Sequence, residues 1–263
     1  MTLTDALDNS LAFLPLTALF TFGITLVSVA TGFAIEGAWG AKRRILALDL
    51  AKGQLRWEFW ANVRFCVLAS LAFAAMLGTE ALGPMQESWS AGIFSFLFLW
   101  VGFDFYYYWL HRALHLPVLK PFHQPHHKSR VCTALSGFSI GWVESAGWII
   151  GWVVFALLAS WIHPLSMTGL LAYAVVIFVA NVLGHTNTEW FPRFFGTRTM
   201  SWGSHPITFH ALHHARYEKH FSFAFTVFDR LFGTEWEDWQ SLFRRIVDGQ
   251  PMTRLQERGE PSR

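Results

Sequence analysis

Residues 111–127 read HRALHLPVLKPFHQPHH, and five of these seventeen residues are histidines. The whole chain has twelve histidines in 263 residues, so an even distribution would place fewer than one in this stretch. A second cluster, HALHH, begins at residue 210. Imidazole is the commonest side-chain ligand of transition metals, so two dense clusters indicate a metal site.

The spacing within these clusters is helical. His111 and His115 are four residues apart and therefore lie on one face of a helix. HALHH contains no helix breaker, so we expect it to form one helix with His210, His213 and His214 along one side.

The segment HQPHH contains a proline, which predicts a helix boundary. Pro125 is favourable in the first turn of a helix, so we expect His126 and His127 to begin a helix and His123 to precede it. A single His185 follows the last long apolar run, at the same predicted depth.

The composition is that of a membrane protein. Apolar residues make up 53% of the chain and charged residues 14%, against roughly 25% charged in soluble domains. The net charge of +2 is too small to indicate a nucleic-acid partner. Cys66 and Cys132 do not form the pattern of a disulfide framework and are interpreted as packing residues.

The apolar stretches on both sides of the first cluster predict an all-α, polytopic membrane helical bundle of about five membrane segments. The chain is interpreted as one integral membrane domain, 1–263, with the membrane segments and first histidine clusters in 11–189 and a cytoplasmic helical cap carrying the last cluster in 190–263. Residues 1–10 lack basic residues, which argues against a cleaved signal peptide. The predicted segments cover about residues 11–38, 63–82, 93–110, 135–161 and 167–183.

The basic residues predict the orientation. With five segments, all twenty Lys and Arg fall on one face, whereas Asp5, Asp8, Glu80 and Glu87 fall on the other. The positive-inside rule then places the basic face in the cytoplasm and the N-terminus outside, as expected for a bacterial inner membrane. Every histidine except His163 falls on the cytoplasmic side.

The number of histidines favours two metal ions, because nine imidazoles exceed what one ion can accept. The absence of nearby thiolates disfavours zinc-ribbon and iron–sulfur sites. The candidate ligands are His111, His115, His123, His126, His127, His185, His210, His213 and His214.

HRALH, HQPHH and HALHH, with the flanking sequences DFYYYWLHR and FDRLFGT, resemble the membrane fatty acid hydroxylase and sterol desaturase superfamily over about residues 100–234. The resemblance implies a di-iron centre held by the nine histidines, with O2 as co-substrate. It also implies hydroxylation or desaturation of a lipid C–H bond, with electrons from an NAD(P)H-linked donor. The 263 residues contain no recognisable haem domain, so a separate redox partner protein is expected.

Two positions depart from the superfamily pattern. Some relatives carry another histidine four residues after the one matching His185, where this chain has Glu189, with Asn187 between them. The coordination is completed by Glu189, by water or not at all, and Asn187 is a further candidate for a ligand or a supporting residue. Many relatives have asparagine where this chain has His220, which could bind metal but is expected to hydrogen-bond near the site. His205 lies off the helical stripe of HALHH and is a weaker candidate of the same kind.

Two carboxylates within the predicted membrane segments are candidate supports for the ligands. Carboxylates at such positions are costly and usually functional, and ligating histidines commonly donate their second N–H to a carboxylate. Asp104, two helical turns before His111, and Glu144, early in the fourth segment, are therefore predicted to hold ligating histidines.

Alternative functions are a haem or metal-binding membrane electron carrier and a metal transporter. A carrier would need histidines facing each other within the membrane, and a transporter would need ligands near the midplane. The pattern leaves open which membrane lipid is the substrate, which of the two oxidations occurs and the oligomeric state.

Overall fold

A computed structural model describes residues 1–197, 199–204 and 206–261. The described residues are helical, with two isolated backbone bridges, Arg44 to Thr188 and Leu46 to Met252, and no strand. The all-α fold class is confirmed. The α helices in these ranges are α1 (Leu3–Arg43), α2 (Gln54–Gly78), α3 (Trp89–Leu114), α4 (Lys120–His127), α5 (Trp142–Ile162), α6 (Met167–Leu183), α7 (Ile207–Arg216), α8 (Val227–Leu231) and α9 (Trp239–Val247).

Helices α1, α2, α3 and α5 are long and apolar enough to cross a membrane. α6 is also apolar but has 17 residues, a length of about 25 Å against a hydrocarbon core of about 30 Å. Four of the five predicted segments are therefore full-length candidates, and the fifth is a shorter helix. The chain is an integral membrane protein by these helices.

All five apolar helices run between the same two ends of the bundle. At one end, Gly78 of α2 lies beside Ser10 of α1, and Gly169 of α6 lies against the backbone of Gly92 in α3. At the other end, the Leu46 backbone N–H donates to Asn187, which follows α6. The histidine-containing segments begin at this second end, which we call the histidine end.

α1 packs on α2 through small polar side chains. The hydroxyl oxygens of Thr21 and Ser70 are 2.6 Å apart, and the Thr17 hydroxyl donates to the Ser70 carbonyl at 2.9 Å. These small side chains allow the two backbones to approach closely. The Thr2 and Asp5 side chains cap the first turn reciprocally, so α1 begins eight residues before the predicted apolar run.

The predicted start of the fourth segment, at residue 135, was wrong. α5 begins at Trp142, and residues 136–138 form a short 3-10 turn. The physical reason is a buried carboxylate: Glu58 of α2 accepts hydrogen bonds from the hydroxyls of Thr133 and Ser136, both at 2.7 Å. These bonds hold the preceding chain against α2 in a non-helical conformation.

The predicted helix boundary in HQPHH was also wrong. His126 and His127 end α4 instead of beginning a helix, and His123 lies inside it. Pro121 occupies the favourable first turn, so Pro125 falls inside this short helix, where a proline removes a backbone donor and crowds the carbonyl four residues before it.

Two apolar cores lie on either side of the histidines. One fills the bundle between α2, α3, α5 and α6, and includes Phe103, Trp148 and Phe178. The other packs α7 against α9 at the histidine end, with Leu212 and Phe243 at its centre. The histidine clusters therefore lie between the membrane helices and the last third of the chain.

Candidate metal centre

Five histidines form one group, which we call the five-histidine group: His111, His115, His123, His127 and His213. They come from the end of α3, from α4 and from α7, and one ring nitrogen of each lies within 4.8 Å of those of the others. The Nε2 atoms of His111 and His123 are 3.1 Å apart, and those of His127 and His213 are 3.0 Å apart.

The other four form a second group, the four-histidine group: His126, His185, His210 and His214. The Nε2 atoms of His185 and His210 are 2.9 Å apart, and those of His210 and His214 are 3.2 Å apart. All nine predicted ligands are thus brought together, in two groups of four or more nitrogens. The two groups are adjacent, because His126 and His127 are consecutive residues with one in each group.

Backbone carbonyls fix the orientation of four rings. The Nδ1 atom lies 2.9 Å from the Phe221 oxygen in His111, 2.6 Å from the Asn181 oxygen in His185, 2.7 Å from the Lys219 oxygen in His213 and 3.1 Å from the Ser129 oxygen in His214. A carbonyl oxygen only accepts, so each Nδ1 carries the proton. A neutral imidazole has one N–H, so the Nε2 atom of each of these rings carries a lone pair, which is directed into one of the two groups.

Burial keeps the rings in the neutral form. It lowers the pKa of His115 to about 4, with a smaller contribution from nearby Lys120. Burial, and secondarily the neighbouring imidazoles, hold the pKa of His123, His127 and His214 well below the ordinary value. Neutral imidazoles with converging lone pairs are the form that binds a metal cation, so the residues present fit a metal ion in each group.

Glu144 lies where a supporting carboxylate was predicted. Its Oε2 atom is 2.9 Å from Nδ1 of His123, and both side chains are almost completely buried. Asp104 differs from its prediction. Its Oδ1 atom accepts the backbone N–H of Ala224 at 2.7 Å, so it holds the chain after α7 and not a histidine ring.

Asn187 and Glu189 have positioning contacts instead of ligand positions. The Asn187 amide pairs with both backbone groups of Leu46. Glu189 accepts the backbone N–H and the hydroxyl of Thr208, each at 2.8 Å, at the first turn of α7. Burial raises the pKa of Glu189 to about 7. Neither residue belongs to the two groups found among the described residues.

His220 is also directed away from both groups. Its Nδ1 donates to the Phe209 carbonyl at 2.8 Å, its Nε2 accepts the Trp236 backbone N–H at 2.8 Å, and its ring stacks on Phe209. Both ring nitrogens therefore have protein partners, as expected for a residue that supports α7. His205 lies outside the described residues.

Asp229 supports the site and was not identified as a site residue from the sequence. It accepts the backbone N–H groups of Phe221 and Ser222 at 2.9 and 2.8 Å, and the Thr234 hydroxyl at 2.7 Å. These bonds fix the segment whose Phe221 carbonyl accepts from His111. Asp229 lies in the FDRLFGT segment, on which the family resemblance partly rests. This residue was therefore part of a recognised motif but was assigned no role.

Aromatic rings separate the five-histidine group from the bundle interior. Tyr107 lies 5.0 Å from the ring of His111 and 5.0 Å from Trp148, and Phe223 packs against both aromatic side chains. This aromatic layer limits the access of water from the bundle side.

Comparison of the sequence with known proteins identifies a family. The family model described as "Fatty acid hydroxylase" matches residues 96–234, more than half of the chain. "Very-long-chain aldehyde decarbonylase GL1-6" of Oryza sativa is 30% identical over 70% of this chain and 30% of its own length. "Protein CER1-like 1" of Arabidopsis thaliana is 28% identical over 55% of this chain and 24% of its own length.

The chain therefore spans less than a third of the length of these relatives. No solved structure matches. The match spans every one of the nine grouped histidines, from His111 to His214. The chain belongs to the fatty acid hydroxylase family.

Proposed function

We propose that the protein is a membrane oxidoreductase that oxidises a C–H bond of a long-chain lipid, using dioxygen and a pair of iron ions. The observation that carries this proposal is the convergence of nine buried imidazoles into two adjacent groups. Two adjacent groups favour a two-metal enzyme over a carrier or a transporter, since neither of these would need so many ligands at one end of the bundle.

The five-histidine group would hold one iron and the four-histidine group the other, and the iron pair would supply the oxidising power that no acid or base side chain has. Hydroxylation consumes one dioxygen, two electrons and two protons, and yields the alcohol and one water. Desaturation consumes the same reagents and yields the alkene and two waters. The electrons would come from an NAD(P)H-linked redox partner protein.

The chain's own residues orient the ligands and exclude water. The carbonyls of Phe221, Asn181, Lys219 and Ser129 keep four rings in one tautomer. Glu144 would stabilise the orientation of His123. The aromatic layer of Tyr107, Trp148 and Phe223 would keep water from the reacting carbon, which limits side reactions.

Orientation in the membrane follows from the basic residues. We place the histidine end, with residues 190–263 as a cap, at the cytoplasmic face of a bacterial inner membrane. A lipid chain would then reach the site from the bilayer, and a soluble electron donor would approach from the cytoplasm.

A second candidate reaction has a very-long-chain aldehyde as substrate. The supporting observation is the name of the relatives, one of which aligns with 70% of this chain. Incubation with a long-chain aldehyde and with the alkane of the same length separates the two candidates. A product one carbon shorter than the aldehyde supports the second, and a hydroxylated or unsaturated alkane supports the first.

The proposal predicts about two irons per chain, measured by elemental analysis of the purified, iron-reconstituted protein. His213→Ala and His214→Ala should each lower the iron content by about one and abolish incorporation of oxygen-18 or formation of a double bond in lipid extracts. His163→Ala is the matched control, because His163 is half-buried at the opposite end and contacts the Pro164 carbonyl. Full iron content and activity in His213→Ala would refute the assignment. A haem Soret band or ion uptake into vesicles would support the carrier or the transporter instead.

A further inference from the structure

An apolar cavity of about 350 Å³ lies inside the bundle, bounded by α1, α2, α3, α5 and α6. None of the described residues that line it is acidic or basic. Thr17, Trp152 and Tyr173 are the lining residues that carry a polar nitrogen or oxygen in the side chain. Its size is at the lower end of ligand pockets, which run from about 300 to 1,000 Å³, and it suits one hydrocarbon chain better than two.

The cavity opens sideways toward the lipid. Phe13 and Leu16 of α1 and Leu171 of α6 line it and are 38%, 61% and 44% exposed. Its mouth therefore lies between the first halves of α1 and α6, in the part of the bundle away from the histidine end.

The cavity contains a hydroxyl group whose proton has no acceptor among residues 1–197, 199–204 and 206–261. Tyr173 is 4% exposed, and the indole N–H of Trp152 is directed at its hydroxyl oxygen, but an indole N–H can only donate. The Thr17 hydroxyl, by contrast, donates to the Ser70 carbonyl. A buried donor that faces an apolar cavity is costly unless a ligand brings an acceptor.

Packed aromatic side chains lie between this cavity and the candidate metal centre. Trp152 in the cavity wall is 5.9 Å from Trp148, Trp148 is 5.0 Å from Tyr107, and Tyr107 is 5.0 Å from His111. His185 follows the end of α6, twelve residues after Tyr173, a separation of about 18 Å at the helical rise. Only a long lipid chain anchored near Tyr173 would span the distance to the histidines.

We propose that this cavity binds a single-chain, neutral lipid with one oxygen acceptor, such as a long-chain alcohol or aldehyde, and that its oxygen accepts from the Tyr173 hydroxyl. This inference rests on the proposed function, since the ligand would be its substrate. A fatty acid carboxylate is disfavoured, because no cation lines the cavity to compensate a buried charge. A phospholipid is disfavoured by its second chain.

The test uses photolabelling of the iron-loaded full chain, without an electron donor so that no turnover occurs. The probe is 1-hexadecanol carrying a mid-chain diazirine, and the comparison probe is palmitate with the same diazirine at pH 8. We expect the alcohol to label residues of α5 and α6 that line the cavity, at least about ten-fold more than the acid.

Two pairs of variants make the test specific. Tyr173→Phe should weaken competition by unlabelled 1-hexadecanol about five-fold and leave competition by hexadecane unchanged. Tyr106→Phe is its control, since the Tyr106 hydroxyl donates to the Gly147 carbonyl outside the cavity. Ala174→Phe, in the cavity wall, should abolish labelling, whereas Ala172→Phe on the exposed face of α6 should not.

Equal labelling by the acid and the alcohol, or unchanged 1-hexadecanol competition in Tyr173→Phe, would overturn the inference. The outcome is separable from that of the proposed function. Labelling of the cavity by the alcohol without any lipid oxidation would retain the binding site and remove the enzyme assignment. Lipid oxidation without labelling of the cavity would do the reverse.

Discussion

Single hydrogen bonds to the backbone determine where the histidine rings point. His111, His185, His213 and His214 each depend on one carbonyl oxygen, and these oxygens belong to loops and helix ends. A ring can be held no more firmly than the carbonyl it donates to. The residues that fix those carbonyls are therefore as important for the metal groups as the ligands.

Asp229 gives the clearest test at this scale. Asp229→Asn replaces one acceptor oxygen with an NH2 group facing the N–H groups or the hydroxyl that Asp229 binds. We expect a loss of about 1–3 kcal/mol in the free energy of unfolding, seen as a lower midpoint of thermal unfolding. Iron content should also fall, because the Phe221 carbonyl loses its support.

The matched control is Asp248→Asn. Asp248 forms an exposed ion pair with Arg193, and such pairs contribute little, so a change below about 0.5 kcal/mol is expected. Equal destabilisation by the two substitutions would contradict a supporting role for Asp229.

The sequence predicted which nine histidines lie together, but not the contacts of several neighbouring polar residues. Residue type and helical spacing are enough to identify His210, His213 and His214 as a stripe. The partner of Glu189 is Thr208, and the partner of Asp104 is Ala224, 120 residues away. Neither pairing follows from local spacing. Asp104 was predicted to hold a ligating histidine and Glu189 was one candidate to complete the coordination, whereas both carboxylates accept hydrogen bonds from backbone groups near the site.

At the scale of elements, hydropathy predicted which segments are helical, and buried polar contacts changed where they begin. By composition alone, the apolar run that starts at residue 135 would be part of α5. Glu58 instead binds Thr133 and Ser136, which precede α5. A single sequence cannot reveal that a carboxylate in α2 will face hydroxyls some 75 residues later. The existence of helices was therefore predictable, and their ends were less so.

Replacing a glycine of the apolar helices by alanine is predicted to destabilise the protein at one position and to stabilise it at another. A Cβ on Gly169 of α6 would lie 2.5 Å from the Gly92 carbonyl oxygen in α3, so Gly169→Ala must push these helices apart. We expect it to destabilise the protein by about 1–3 kcal/mol. Gly23 of α1 has no atom within 4 Å of such a Cβ, so Gly23→Ala should stabilise by about 0.5–1 kcal/mol.

Thermal unfolding in one detergent, followed by tryptophan fluorescence, compares the two variants with the parent. A stabilising effect of Gly169→Ala would show that α3 and α6 are not in close backbone contact.

For the whole molecule, the arrangement of five antiparallel apolar helices and the distribution of charge predict one topology. α6 is short, but it extends from the Gly92 end to His185, so it crosses the same interval as its neighbours. An odd number of crossings places the two termini on opposite sides. The bilayer would have to thin locally, or polar residues would have to reach the interface, around the ends of α6.

Cysteine labelling in intact cells tests this topology, because the native Cys66 and Cys132 are buried. Asn9→Cys and Ala81→Cys, both exposed at the end opposite the histidines, should react with a membrane-impermeant maleimide added outside. Asp49→Cys and Gln250→Cys, exposed at the histidine end, should react only after the membrane is permeabilised. All four positions are exposed, so a difference in labelling reports the side of the membrane. Labelling of Asp49→Cys in intact cells would reverse the orientation. Labelling of Asn9→Cys and Gln250→Cys from the same side would mean that α6 does not cross the membrane. The basic residues alone would then not show which face a soluble electron donor approaches.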